Sequence, residues 1–590
     1  MPHVVRTFTD RPPVKQPASP RPIESPRRAA RAAGLAWLAS VAMSCIAAVG
    51  VAGEPRIVDL SLTISPEMPC NWPAGWPPFA LVPQRRIGPL SGYQVDTLFI
   101  DGNCGTQMDV PPHSVPHPDT NLPAANPYGR VYTDKAPAWQ FGGEACVIDC
   151  RDAVSAAPDG HSALIKKDRV VAWERAHRPL GPGDVVVFRS GYTDQFYQPL
   201  PAGRRFLADP LDGRAPAWPD PDPECMEYLA GRKVLTLATD SASMGPIPDL
   251  AEPTHYAGLK YGMVWTESAT GLGELPETGA FYCMLGLKHA DGLYAECRAL
   301  AVVGEPLAKQ LIESARHRRV ADLSVTLSPD YPLTWPGAGS GNHRQSYLKI
   351  PLYYAPNLAT YHVTHLFDSQ AGTHLVPPAY ALPPADFDND DYAPEVRRWL
   401  AEFEKDYGPR GTSDVTAEQV PLDQTCGWAR VVDVRHLVGT TEKASWPRSP
   451  EITVADIERY EHEQGELEPG EILLFRSDYT DTWFKSLPEG QAFLADPLNG
   501  KREGWPALSA AAAIYLARSG IRCVGTDAPA LGGADPEQAQ MTYWALGSRG
   551  MVGVEFLNGL GKLPEGPYFM FAPLKIRGCH GGPGRAIALY

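Results

Sequence analysis

Two long stretches of this chain occur twice. RIVDLSLTISPEMPCNWP from Arg56 returns as RVADLSVTLSPDYPLTWP from Arg319, and GDVVVFRSGYTDQFYQPLPAGRRFLADPLDG from Gly183 returns as GEILLFRSDYTDTWFKSLPEGQAFLADPLNG from Gly470. Repetition on this scale is the duplication of a whole domain, because solenoid units run only to about 20–50 residues and stack in series. The offset between copies is 263 at Asp59 and Asp322, 267 at Gly105 and Gly372, and 287 at Phe188 and Phe475. The last step marks an insertion in the second copy, the charged stretch DFDNDDYAPEVRRWLAEFEKDYG from Asp386, which is expected to add a surface helix. Two copies of one domain in one chain are expected to meet through a self-complementary interface, as the halves of a fused dimer do.

The repeat sets the boundaries. Residues 54–305 form the first domain and 319–590 the second, with a polar linker at 306–318 after the apolar strand ALAVV. Within each domain, strand-like runs such as ACVID, DVVVF and KVLTLATD alternate with a few helix candidates, among them ALSAAAAIYLARSG from Ala507, so a mixed α/β unit is expected. The 54 glycines and 61 prolines favour turns and short strands over long helices.

Residues 1–53 read differently. Arg21, Arg27, Arg28 and Arg31 precede an apolar run from Ala33 to Ala52 with small residues at its end, the pattern of an export signal. An uncleaved membrane anchor is the alternative, since about 20 apolar residues span a bilayer. The Arg27–Arg28 pair raises the twin-arginine route, although Ala29 and Ala30 follow it, and Cys45 sits in a poor lipoprotein context. The net charge of −15 argues against nucleic acid as a partner and leaves a small molecule. No CxxC pair occurs among the ten cysteines after Cys45, and their scattered apolar settings predict buried free thiols.

The stretch NCGTQMDVPPH, from Asn103 to His113, concentrates the polar chemistry, and its counterpart is QAGTHLVPPAY, from Gln370 to Tyr380. A Gly-Thr turn flanked by polar side chains, then an acid and a histidine beyond stiffening prolines, directs several oxygens and donors to one place, although the same residues also serve ordinary turns. The chain resembles the cyclase family, which includes bacterial kynurenine formamidases and isatin hydrolases and whose signature is HxGTHxDxPxH. The likeness extends over each half: the DLS strand, the FRS segment, the turn at Thr239 and Asp240, and the pattern HYAGLKYGMVWTE from His255 to Glu267 appear in order.

That resemblance implies two tandem copies of a cyclase-like (swivelling β/β/α) domain forming an intrachain pseudo-dimer, a monomer or a higher homo-oligomer of it. It implies metal ligands at Asn103, Gln107, Asp109, His255 and Glu267, with Asn103 and Gln107 standing where the family has histidines. In the second half only His374 and Glu555 remain as ligand types, with Gln370, Val376, Tyr380 and Tyr543 at the other positions. Amide and carboxylate oxygens shift such a set toward Mn²⁺, with Zn²⁺ next, and one ion is expected rather than two. His113 is the candidate proton shuttle, with an ordinary pKa near 6.5. Trp72 and Trp76 are candidates to stack an aromatic substrate, and Trp335 stands at the position equivalent to Trp72. The expected activity is metal-dependent hydrolysis of a small amide, formamide, cyclic imide or lactone bond, arylformamidase-like. The competing expectation is a cyclase-fold binding protein that has lost its metal. No GxSxG or phosphate-binding glycine loop points to other chemistry.

Overall fold

The computed structural model describes residues 55–73, 78–333, 335, 347–355 and 360–590. The expected export signal and Trp76 lie outside the described residues.

Each half builds one large sheet with the same strand order. In the first it runs Arg56–Asp59, Tyr294–Val303, Ala280–Gly286, Gly142–Asp149, Asp184–Arg189, Thr236–Thr239, Val264–Glu267 and Gln107–Asp109. Tyr294–Val303 also pairs with Gln107–Asp109, which closes seven strands into a ring and leaves Arg56–Asp59 as an appendage. The second half repeats the ring, with Gly582–Leu589 pairing both His374–Val376 and Tyr568–Pro573. The central strands are parallel and covered on both faces, which is why DVVVF carries no polar alternation.

The signature stretches that recur in both halves are structural locks. Ser190, of the FRS segment, donates its backbone N–H (2.7 Å) and hydroxyl (2.5 Å) to Asp240, and Ser477 does the same to Asp527 at the same two distances. The Gly-Thr turns use glycine for a left-handed backbone, φ +69° at Gly105 and +62° at Gly372. Their threonine hydroxyls then bridge strands: Thr106 accepts from Leu62 N and donates to the Ser268 carbonyl, and Thr373 accepts from Val325 N and donates to the Phe556 carbonyl.

A four-stranded sheet joins the halves. Its order is β3 (Leu348–Ala355), β4 (Thr360–Asp368), β2 (Val95–Asp101) and β1 (Ala80–Arg85), so the central pair β2·β4 takes one strand from each copy. Its antiparallel register sets Phe99 opposite Leu366, Thr97 opposite Asp368 and Asp101 opposite Thr364. With the local offset of 267, these are reciprocal pairs about a pseudo-two-fold through Phe99 and Leu366. Side chains obey the same symmetry. Arg298 holds Asp59 and donates to the Pro573 carbonyl of the other half, while Arg585 holds Asp322 and donates to the Gly286 carbonyl. Lys575 reaches across to Asp59 at 2.6 Å and Lys288 to Asp322 at 2.8 Å. Reciprocal contacts of this kind are the signature of an isologous interface. One apolar core cluster also mixes Met284, Leu300 and Val302 with Met570, Ile587 and Leu589.

The segment expected as a polar linker folds as a helix, α2 (Leu307–Arg316). Ala308, Leu311, Ile312 and Ala315 recur at helical spacing and are buried. The insertion forms α3 (Pro394–Tyr407), as expected, but one face is interior: Val396, Leu400 and Phe403 pack inward, with Phe403 5.7 Å from Trp544 of α4 (Pro536–Gly547). The run from Ala507 divides, Ala507–Leu508 joining a short two-stranded pairing and Ala510–Arg518 forming a helix capped by Ser509. All ten cysteines after Cys45 are buried and free.

Candidate metal and active site

The short strand Gln107–Asp109 runs antiparallel to Val264–Glu267, setting Gln107 opposite Glu267 and Asp109 opposite Trp265. Because side chains alternate along a strand, Gln107 and Asp109 share one face, as do Trp265 and Glu267. Helix α1 (Ala251–Leu259) lays His255 over this face. His255 Nε2 is 3.6 Å from Asp109 Oδ2 and 3.3 Å from Glu267 Oε1. The turn after Asp109 brings back His113, whose Nε2 is 3.8 Å from the same Asp109 oxygen. Asp109, His113 and His255 thereby form a group whose ligand atoms all lie within 4.8 Å of one another.

The hydrogen bonding leaves a defined set of unmet needs. His255 Nδ1 lies 2.8 Å from the Ala251 carbonyl, which can only accept, so Nδ1 carries a hydrogen and Nε2 is the atom turned to the two carboxylates. Trp265 Nε1 donates to Asp109 Oδ2 at 3.1 Å and to Glu267 Oε1 at 3.2 Å, and Met244 N donates to Glu267 Oε1 at 2.6 Å. Asp109 Oδ1 and Asn103 Oδ1 are buried with no hydrogen-bond partner. The buried Asp109 Oδ1 has no partner, and the ligand atoms of Asp109, His113 and His255 converge within 4.8 Å of one another, an arrangement that a cation would satisfy. A divalent ion held by Asp109 and His255, with Glu267 3.3 Å from His255, would meet that need, and the Nδ1–H to carbonyl bond is the outer support that metal-ligating histidines use. The donor set fits a divalent metal.

The charges are consistent with that need. Burial works against charge on His255, yet its hydrogen bonds to the Asp109 and Glu267 carboxylates outweigh it and hold the imidazole well above its ordinary pKa. Burial and the Asp109 charge push Glu267 up. His113 goes the other way, down to about 3, because burial and the neighbouring His255 disfavour its cation. Asp101, at the end of β2, is raised to about 7 by burial.

Of the residues singled out from sequence, Asp109, His113, His255 and Glu267 come together. Gln107 is engaged differently: its amide nitrogen donates to Glu267 Oε2 at 2.7 Å, so it orients a carboxylate. Asn103 is buried nearby in sequence but makes no hydrogen bond to that group, its backbone N–H going to Asp101. His113, expected as a proton shuttle, also stands among the donor atoms. Trp72 packs edge-on against Trp218 at 6.2 Å, and its counterpart Trp335 packs against Trp505 at 5.8 Å.

Three further residues belong to this neighbourhood. Trp265 precedes Glu267 by two on one strand, a period-two signal that was readable. Tyr294, opposite Asp109 in the sheet, stands edge-on to His113 at 5.2 Å. His362, on β4 of the second half, is 6.3 Å from the Tyr294 ring; burial and His113 lower its pKa to about 4. It stands where Val95 stands in the first half, and only the cross-half sheet brings it here.

The second copy has rebuilt the same place. Tyr543, at the position of His255, donates to Glu555 at 2.6 Å, and Leu531 N donates to the same oxygen at 2.7 Å. His374 Nε2 lies 3.2 Å from Glu555, and Val376 replaces the acid.

An isatin hydrolase of Roseibium aggregatum is 28% identical over 279 residues, spanning 45% of this chain and 98% of that protein. Among solved structures, an isatin hydrolase bound to the product analogue thioisatinate is 23% identical, covering 43% of this chain and 94% of that one, with a TM-score of 0.34. A potential metal-dependent hydrolase with cyclase activity is 19% identical, covering 46% and 96%, with a TM-score of 0.29. The family model described as "Putative cyclase" matches twice, at residues 58–246 and 321–532, together more than half of the chain. The chain belongs to the cyclase family, in two copies.

Proposed function

We propose that the protein is a metal-dependent hydrolase of a small amide, formamide, cyclic imide or lactone bond, with its active site in the first half and a cyclic amide or imide as the first substrate class to test. The observation that carries this reading is His255 Nε2 facing Asp109 and Glu267 at 3.6 and 3.3 Å beside the unpaired Asp109 Oδ1. The relative named isatin hydrolase supports a cyclic amide over an open formamide; formamides and lactones remain in the substrate class.

A divalent ion, Mn²⁺ or Zn²⁺, would supply Lewis acidity toward a carbonyl and a bound water whose pKa lies near about 7. Asp109, His255 and Glu267 would hold it, while Gln107 and Trp265 fix the carboxylates in place. In hydrolysis, water oxygen adds to the carbonyl carbon, the C–N bond breaks and nitrogen takes up a proton. His113 is neutral at pH 7, and its unpartnered Nδ1 leaves it one nitrogen for an incoming group. As negative charge gathers on a bound substrate, the imidazolium becomes less costly, so His113 takes its proton in the bound state and returns it to the leaving nitrogen. Export by the N-terminal segment completes the proposal, and cell fractionation tests it.

The test is hydrolysis of a panel of cyclic imides, formamides and lactones by purified protein with Mn²⁺ or Zn²⁺, alongside its metal content. About one ion per chain and turnover lost in His255→Ala are expected. Protein that stays metal-free in Mn²⁺ and Zn²⁺ would remove the hydrolase reading and leave the binding protein, which the replacement of two histidines by Asn103 and Gln107 favours.

A further inference from the structure

The second half has lost the acid that the first half keeps but not the hollow around it. A cavity of about 350 Å³ lies there, within the range of small-molecule sites. Gln370, Tyr380 and Tyr543 line it from the positions of Asn103, His113 and His255, so this is the first half's site rebuilt. Tyr93 and Arg85 complete the wall from the first half. We propose that this cavity is a second, non-hydrolytic binding site that takes a small planar aromatic acid bearing an N–H group.

The walls select a flat ring. Tyr93 and Tyr380 stack at 4.9 Å and 15°, and Tyr543 stands edge-on to both, at 5.1 Å from Tyr380 and 5.7 Å from Tyr93. Interlocked rings of this kind resist collapse and offer their free faces and edges to a fourth aromatic. The polar groups select the rest. Arg85 lines the cavity from an exposed position, and its charge acts on Asp368 across the same wall without closing an ion pair among the described residues, which leaves guanidinium donors for a carboxylate. The Tyr93 hydroxyl is buried without a hydrogen-bond partner. Asp368 shares the wall, its Oδ1 accepting from Gln370 N at 2.9 Å, so a ligand that brings an N–H with its carboxylate satisfies both charges.

Hydrolysis is excluded by the same substitutions. Val376 offers no ligand, and Glu555 Oε1 is occupied by Leu531 N and by the Tyr543 hydroxyl. The site therefore binds and releases a ligand unchanged, whatever reaction the first half performs.

2-Aminobenzoate, which is fluorescent, is the probe. Titrated with the full chain, it should bind saturably at one molecule per chain, and equally well to Asp109→Asn, which alters only the first half's site. Arg85→Gln should weaken it about tenfold or more, as expected for a lost charged hydrogen bond, while binding of neutral aniline stays within twofold. Ala539→Trp, which fills the cavity, should abolish binding; Arg85→Gln, at an exposed position, serves if that variant does not fold. Absent saturable binding, binding indifferent to both Arg85→Gln and Ala539→Trp, or binding lost with Asp109→Asn overturns the proposal.

Discussion

Asp109→Asn isolates the charge on which the metal reading rests. The substitution keeps the shape and the oxygen that accepts from Trp265 at 3.1 Å, and removes one of two carboxylates that face His255 Nε2. At an effective dielectric of about 20, two unit charges about 4 Å apart interact by about 4 kcal/mol, a floor for a carboxylate facing a divalent ion. Allowing for the cheaper burial of the neutral amide, a loss of about 4 kcal/mol in ion binding weakens Kd by about three powers of ten. In the metal-free protein the change is small, because the lost attraction to His255 is offset by relief of the repulsion between Asp109 and Glu267 that pushes Glu267 up. Thermal unfolding with graded Mn²⁺ reads this out. At a concentration of about 100 times Kd the ion stabilises the native protein by about 2.7 kcal/mol, and after a thousandfold weakening by less than about 0.1 kcal/mol. The expected result is a similar Tm without metal and no metal-induced rise in the variant. An Asp109→Asn protein whose Tm rises with Mn²⁺ at an unchanged midpoint would refute the assignment of Asp109 as a ligand.

Metal affinity should depend on pH. His255 is held protonated above its ordinary range, and the ion needs the Nε2 lone pair, so apparent affinity should rise about tenfold per pH unit until the raised pKa is passed, one proton leaving per ion. The same shift gives the metal-free fold stability that is present below about pH 6.5 and lost as pH rises through the folded value; calorimetry at several pH values checks both, and flat affinity between pH 6 and 8 contradicts it. Thr373→Val removes two buried hydrogen bonds, at 3.0 and 2.8 Å, and should cost about 1–3 kcal/mol in urea unfolding. Residues 54–305 expressed alone expose the β2 edge and half of a shared core. They should self-associate, and form a 1:1 complex with 319–590, by light scattering; a stable monomer argues against the shared sheet.

Much of the site was legible because local spacing carried it. Asp109 and His113 lie four apart around a Pro-Pro turn, and His255 and Glu267 sit on a helix and the strand that follows it. The role of Gln107 was not legible, since an amide four residues from Asn103 reads as a replaced ligand until the strand pairing sets it opposite Glu267. The helix at 307–316 was readable in the spacing of Ala308, Leu311, Ile312 and Ala315, but its charged outer face read as a linker.

The sequence by itself determined the duplication, the α/β class, the insertion helix and the half that keeps an acid, because repetition, strand alternation and residue type are local properties. Only the tertiary structure decided what the two copies do to each other. The register of β2 on β4 delivers His362 to the first half's site and Tyr93 and Arg85 to the second half's cavity. Those contacts join residues hundreds of positions apart, and they follow from a self-complementary edge pairing about one axis, which no local pattern records.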